Sequence, residues 1–239
     1  MAERAMISVV IPTLNAEATL PDTLSALISA SVDGLVREVI VVDAGSTDRT
    51  REIADWAGAD VIAAPPGRGG QLAAGAARAK HPWLLFLNAD TVLEHGWERE
   101  VAHFMEKANK NPSRQAAAAF RFALDDEGAA PRLLEGLARL RCTALRLPYG
   151  NQGLLIPRRL YDQVGGYREL PVLEDLDIAR RLGRRRIRLL RTRAVSSARR
   201  YRQNGYLRGA LKHQMCLLLY ALNVPAARIA QFYDGRAGP

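Results

Sequence analysis

Four short, continuous apolar runs punctuate the first 110 residues: Ile7 to Ile11, Val39 to Val42, Asp60 to Ala63 and Trp83 to Leu87. None alternates apolar with polar positions, so each reads as a strand covered on both faces, the condition of a parallel sheet. The segments between them, near Ala18 to Ser31, Asp48 to Ala57 and Gln71 to Ala79, have the length and Ala/Leu content of helices. Strand–helix alternation at this spacing predicts an α/β chain with a doubly wound, mostly parallel sheet and helices on both faces. After Asn111-Pro112 the pattern changes. Ala116 to Leu124 reads as a strand, Pro131 to Leu147 as a helix opened by proline, and Leu154 to Ile156 as a short strand behind Gly150-Asn151-Gln152-Gly153. Glu174 to Leu182 and Gly205 to Leu222 read as helices, with a last one starting near Pro225. No internal repeat or low-complexity linker separates the two halves, which points to one shared sheet.

The polar residues that matter sit where these runs stop. In Leu84-Leu85-Phe86-Leu87-Asn88-Ala89-Asp90 the alternation of a strand points Asn88 and Asp90 the same way, just past its carboxyl end. Ligands bind to α/β sheets at that rim. A hard divalent cation takes oxygen ligands and leaves positions for substrate phosphates, so the pair fits a metal-diphosphate; the simpler role for Asp90 is to cap the next helix. Pro12-Thr13-Leu14-Asn15 and Asp43-Ala44-Gly45-Ser46-Thr47-Asp48 leave the first two strands on the same rim. Thr13, Asn15 and Asp43 offer the few fixed donors and acceptors that a base and ribose need. Ser46, Thr47 or Asp48 suits a helix cap and Gly45 a turn, which leaves Asp43 as the surplus carboxylate. In Pro65-Pro66-Gly67-Arg68-Gly69-Gly70-Gln71 the glycines let backbone amides approach a phosphate and Arg68 adds a planar donor fork. The loop is neither a Walker A sequence nor a dinucleotide-binding fingerprint.

Taken in order, these loops resemble those of the family-2 glycosyltransferases. The matching stretches are Ser8 to Asn15, Val41 to Asp48, Asn88-Ala89-Asp90 in place of Asp-x-Asp, Gly150 to Gly153, Gly165-Gly166-Tyr167 and Glu174-Asp175, so the resemblance covers roughly residues 6 to 200. It implies the GT-A fold of nucleotide-sugar transferases and a nucleoside diphosphate-sugar donor, UDP favoured. The resemblance also implies domain boundaries: a transferase domain over 1–200, with a nucleotide-binding half over about 1–110 and an acceptor half over about 111–200, and a helical C-terminal extension over 201–239. Pro12, Thr13, Asn15, Asp43, Arg68, Gly69, Asn88, Ala89, Asp90 and Arg199 fall to the nucleotide, and Asp90 to Mn²⁺ or Mg²⁺. Asn151, Gln152 and Gly153 fall to an acceptor bearing a hydroxyl group.

The family's base is the aspartate of a Glu-Asp pair at a helix start, which maps onto Asp175 with Glu174 beside it. The chemistry agrees independently, because an acceptor hydroxyl attacking an anomeric carbon needs a carboxylate within hydrogen-bond reach. The same acids also suit a helix's first turn, the role preferred for Asp177. The expected reaction is inverting transfer. Ser197-Ala198-Arg199-Arg200-Tyr201 stands where processive members carry Gln-x-x-Arg-Trp, and the changed residues argue against polymerase behaviour. Arg199 or Arg200 remains suited to the charge of a leaving diphosphate.

Charge distribution adds a partner question. Residues 1–177 carry 24 acids and 19 bases, whereas 178–239 carry 15 bases and only Asp234. Thirteen of those bases lie between Arg180 and Lys212 without an acid, a pattern that implies an anionic partner: a pyrophosphate, an anionic membrane surface or nucleic acid. Arg184, Arg185, Arg186, Arg208 and Lys212 are the bases expected at a peripheral surface near a membrane-held acceptor. Leu211, Met215, Leu218, Leu219 and Leu222 recur at helical spacing and are expected to bury against the domain. Nucleic acid is not an expected partner, since aromatic content is 6% and no helix-turn-helix signature is present. Cys142 and Cys216 read as buried thiols, no apolar leader precedes the first strand, and Met215 to Leu222 is too short to span a bilayer. The expectation is a cytoplasmic chain, peripheral at most to the membrane's inner face. His81, His95, His103 and His213 show no metal spacing. The competing enzyme reading is a sugar-phosphate nucleotidyltransferase, but its glycine-rich basic signature is missing after the first strand.

Overall fold

The computed structural model describes residues 6–111, 115–145, 148, 150–170 and 172–206, with isolated positions between 215 and 230. One eight-stranded sheet runs through both halves, in the order β3-β2-β1-β4-β7-β6-β8-β5. Its strands are β1 Ile7–Thr13, β2 Val36–Asp43, β3 Asp60–Ala63, β4 Trp83–Phe86, β5 Thr91–Leu93, β6 Ala117–Leu124, β7 Leu154–Pro157 and β8 Ile187–Ser196. The first four are mutually parallel, as are β6 and β8, while β7 runs antiparallel to both neighbours and β5 antiparallel to β8.

Continuous apolar strands follow from burial on both faces. Val9, Ile11, Leu85 and Leu87 enter one core with Trp97, Met105 and Phe120. Their neighbours Val10, Leu84 and Phe86 enter the other with Leu72, Leu154, Ile156 and Tyr161. The apolar residues of β1 and β4 therefore alternate between two dry layers. Helix α4 (Arg68–Arg78) crosses β1 and β2 so closely that a Cβ on Gly75 would lie 2.3 Å from Val10 Cγ1. Arg158 caps the far end of α4, donating from Nη2 to Ala79 O at 2.6 Å and from Nη1 to Ala76 O at 3.1 Å.

Several boundaries differ from expectation for identifiable reasons. The helix expected over Ala18 to Ser31 is broken into α1 (Leu20–Ser25) and α2 (Ile28–Val32). At the break Ala26 O accepts the indole N–H of Trp97, and the Ser25 and Ser31 hydroxyls bond back to Pro21 O and Leu27 O. Helix α3 (Thr50–Trp56) starts behind Arg49 at its N-cap, and α4 begins at Arg68 instead of Gln71, which makes Arg68 its first helical residue. Helix α6 (Ala129–Leu145) opens ahead of Pro131, a first-turn position where proline is tolerated. Helices α5 (Trp97–Asn109), α7 (Arg158–Gln163) and α9 (Arg199–Asn204), with β5 and β8, lie outside the expected set, whereas α8 (Glu174–Leu182) matches it. Strand β8 reads as a basic run because its outward positions are Arg188, Arg191 and Arg193, with Ile187, Leu190 and Ala194 buried between them. Cys142 and Cys216 are both buried. Among the described residues no helix is long and apolar enough to cross a membrane. Of the helices expected from Gly205 and Pro225 only isolated positions are described, and Leu211, Leu218, Arg208, Lys212 and His213 lie outside the described residues.

Candidate active site

From β1 the chain builds outward to β2 and β3, then returns to place β4 on the other side of β1. That reversal puts a topological switch point at the carboxyl ends of β1 and β4, the binding position of open α/β sheets. The loops after β1 and β2 are stitched together there. Asn15, at φ +51°, accepts the Thr47 N–H on Oδ1 at 2.9 Å and donates its own N–H to Ser46 Oγ at 2.8 Å. Asp48 Oδ1 accepts the Thr50 N–H at 3.0 Å, and Gly45 makes the turn at φ +91°.

Asp43 is not a surplus carboxylate. Its Oδ2 accepts the N–H groups of Gly45 and Ser46 at 3.0 and 2.9 Å, and its Oδ1 accepts the Thr13 hydroxyl at 3.1 Å and that of Ser46. Burial opposes ionisation, but these donors, Ser46 foremost, outweigh it and hold the carboxyl below its ordinary range. Thr13 and Asp43 are thus a buried floor, with Pro12 half-buried in β1 beside them. Gln71, absent from the expected set, ties α4 to this floor by donating Nε2 to Val42 O at 2.7 Å and Thr13 O at 3.0 Å.

Arg68 joins the two halves of the chain. Its Nη2 donates to Asn88 Oδ1 at 2.7 Å and lies 3.3 Å from Asp175 Oδ2, while its Nε lies 3.1 Å from Glu174 Oε1 without the alignment of a hydrogen bond. Burial works against the Arg68 charge; Asp175 and then Glu174 outweigh it, so the guanidinium holds its proton more tightly than usual. Burial and then Asp175 push Glu174 up to about 7 against the pull of Arg68. The two acids open α8 behind Leu173, a non-glycine residue held at φ +65°. Asp175 Oδ1 accepts the hydroxyl of buried Tyr167 at 3.3 Å.

The glycines of the Arg68 loop have a packing reason. A Cβ on Gly69 would lie 2.1 Å from the carbonyl oxygen of Arg168, so only glycine lets the 168–170 segment close over the start of α4. Gly69 is there a contact between halves, alongside its expected part in phosphate binding.

Asp90 occupies the rim beyond β4, half-exposed, with Ala89 half-buried before it. Among the described residues its carboxylate has one side-chain hydrogen bond, from Thr91 at 3.4 Å. Asn88, beside it, accepts Arg68 on its amide oxygen, which uses one of that oxygen's two lone pairs. No cluster of three or more His, Cys, Asp or Glu suited to a metal occurs among the described residues. Asp90, Glu174 and Asp175 nevertheless outnumber Arg68 as charges. One open carboxylate within an acidic surround fits a hard divalent cation that draws its other ligands from a diphosphate and water.

Residues 196–199 reach the same rim through β8. Thr91 pairs with Ser196, and the Ser197 N–H donates to Asp90 O at 3.0 Å, which brings exposed Arg199 into the neighbourhood of Asp90. The Arg200 side chain lies outside the described residues. Gln152, expected at the acceptor, is interior: Nε2 donates to Phe120 O at 2.9 Å and Oε1 accepts the Cys142 thiol at 3.1 Å. Gly153, at φ +63°, packs on Phe120, and Asn151 O accepts the Ser196 hydroxyl at 3.3 Å, so this loop supports the rim from beneath. Asp177 plays its expected helix part, accepting Arg181 Nε at 2.8 Å. Other bases of the last quarter also meet acids: Arg193 Nη2 lies 2.7 Å from Glu94 and Arg202 Nε 2.9 Å from Asp126. Arg180 lies over the Tyr220 ring.

Comparison with known proteins agrees with this geometry. Residues 8–161 match the model of glycosyl transferase family 2. Glucosyl-3-phosphoglycerate synthase of Mycobacterium tuberculosis is 41% identical over 98 residues, and that of Mycolicibacterium paratuberculosis 40%. The matched stretch spans 37% of this chain and only 30% of those relatives. Among solved structures, the M. tuberculosis enzyme in complex with Mn²⁺ and UDP-glucose superposes with a TM-score of 0.62 at 24% identity, over 92% of this chain and 80% of that one. TarS 1–349 of S. aureus gives 0.60 at 17% identity, over 95% and 70%. The fold is the GT-A fold of these transferases. With the family model covering most of its length, the chain belongs to glycosyl transferase family 2.

Proposed function

We propose that this glycosyltransferase moves a sugar from a UDP-sugar to a hydroxyl acceptor with Mn²⁺ bound at Asp90, inverting the anomeric centre. The observation that carries the reading is the Arg68 bridge, which brings Asn88 of the rim together with Glu174 and Asp175 of the second half. Asp175 takes the acceptor's proton as its oxygen attacks the anomeric carbon, the bond from that carbon to the diphosphate oxygen breaks, and UDP leaves. Bound Mn²⁺ supplies charge neutralisation to the departing diphosphate. Arg199 adds to that from the segment bonded to Asp90, where the negative charge grows as the bond breaks. The Asp43 floor orients the loops that receive the nucleoside.

The choice of UDP and Mn²⁺ is supported by the solved M. tuberculosis relative, described with both. Another structure of that enzyme holds Mn²⁺, UDP and glucosyl-3-phosphoglycerate, which makes 3-phosphoglycerate the first acceptor to assay. Melting curves with UDP, GDP, CDP and dTDP, with and without Mn²⁺, test the donor side: UDP with Mn²⁺ should raise the melting temperature most. Proton NMR of the first product formed tests the stereochemistry, and retention of the donor's anomeric configuration would overturn the single-displacement role of Asp175.

A further inference from the structure

We propose that Tyr167 is a positioning residue that fixes the orientation of the Asp175 carboxylate for proton transfer. The inference rests on Asp175 being the base. Tyr167 is buried, and its hydroxyl donates to Asp175 Oδ1 at 3.3 Å while Arg68 Nη2 stands 3.3 Å from Oδ2. Tyr167 and Arg68 thereby hold opposite oxygens of the carboxylate, beside the Glu174 carboxyl that shares a side-chain hydrogen bond with it.

The tyrosine is itself tightly located. Its backbone N–H donates to the Tyr161 hydroxyl at 3.0 Å, and its ring meets Phe86 edge-on at 4.9 Å. Phe86 also stacks on Tyr161 at 5.4 Å, so three aromatic rings form a platform beneath α8. Phe86 ends β4, two residues before Asn88. Gly166, at φ +59°, lets the backbone pass over the Tyr161 ring, where a Cβ would lie 2.9 Å away. Burial, and then Asp175, push the Tyr167 hydroxyl well above its ordinary pKa, so it remains a donor while the enzyme works. Packing alone needs only the ring. The hydroxyl is the one part of Tyr167 that reaches the base.

Tyr167→Phe keeps the ring and removes that hydroxyl. The melting temperature and the KM for the donor should stay at the parent's values while kcat falls about tenfold, a smaller loss than the ~10²-fold or greater loss expected for Asp175→Asn. In an Asp175→Asn background the same substitution should cost nothing further, since no carboxylate is left to orient. Unchanged kcat in Tyr167→Phe, with Asp175→Asn inactive, would overturn the positioning role and leave the base in place. Full activity of Asp175→Asn would instead remove the base itself, and a lower melting temperature or a raised donor KM in Tyr167→Phe would mark the residue as structural.

Discussion

At the scale of single residues the most informative group is Glu174. Its carboxyl is raised to about 7 by burial and by Asp175, against about 4.3 in an unfolded chain. The folded protein therefore binds this proton more tightly than the unfolded chain, and the stability linked to it falls as pH rises from about 4.3 towards 7. The slope approaches about 1.4 kcal/mol per pH unit between those limits. Glu174→Gln removes the titration while keeping the shape. It should melt above the parent at pH 8, and the difference should close below pH ~4. A constant difference across the range would mean that Glu174 is ionised throughout and held by Arg68. Sequence reasoning found Glu174 and Asp175 as an acid pair but had no means of seeing their burial, which depends on the Arg68 loop more than 100 residues upstream. The donors around Asp43 escaped it for a related reason. The four donors that fill its oxygens come from Thr13, Gly45 and Ser46, two of them backbone groups that no side-chain pattern records.

At the scale of elements, the junction between α4 and the 168–170 segment decides whether the two acids reach Arg68. Gly69→Ala places a methyl group 2.1 Å from a backbone carbonyl, which cannot swing aside as a side chain can. We expect a loss of about 1–3 kcal/mol in stability by denaturant melts, the usual scale of overpacking, together with lower transfer activity. Gly70→Ala is the control: its new methyl group would stand 3.6 Å from the flexible Glu169 side chain, within a helix that favours alanine by up to ~1 kcal/mol. Equal losses in both variants would show that the helix start, and not this contact, is what the substitutions disturb. The two-faced strands of the first half were legible because their apolar runs are continuous, and α8 because its acids and leucines fall at helical spacing. Strand β8 was not legible. Its exposed Arg193 pairs with Glu94, and the backbone N–H groups of Arg191 and Thr192 donate to Glu100, so a structural strand reads from the sequence as a free basic run. With it went the pairing of β5 to β8 that sets Ser197 beside Asp90.

At the scale of the whole molecule, one sheet runs through both halves of the chain, and the candidate site is the place where their charges meet. The acids of the first 177 residues partly neutralise the base-rich last quarter through Arg181, Arg193 and Arg202, so its excess charge is less available to an outside surface than a count implies. The rim shows the opposite imbalance. Asp90, Glu174 and Asp175 lie around Arg68, and even with Glu174 raised to about 7 the acids outnumber that guanidinium at the rim proposed to receive an anionic diphosphate. A divalent cation resolves that conflict, and Asp90 is the member of the set whose carboxylate Arg68 does not hold. Asp90→Ala should therefore melt close to the parent when no ligand is present, because among the described residues the lost carboxylate makes one side-chain hydrogen bond, the 3.4 Å contact with Thr91. UDP with Mn²⁺ at ~100 times the parent's dissociation constant should stabilise the parent by ~2.7 kcal/mol and the variant far less. UDP without metal should serve both equally poorly. A variant that gains as much as the parent would take Asp90 out of the metal site, whereas one that melts lower before any ligand is added would give Asp90 a structural role at the end of β4.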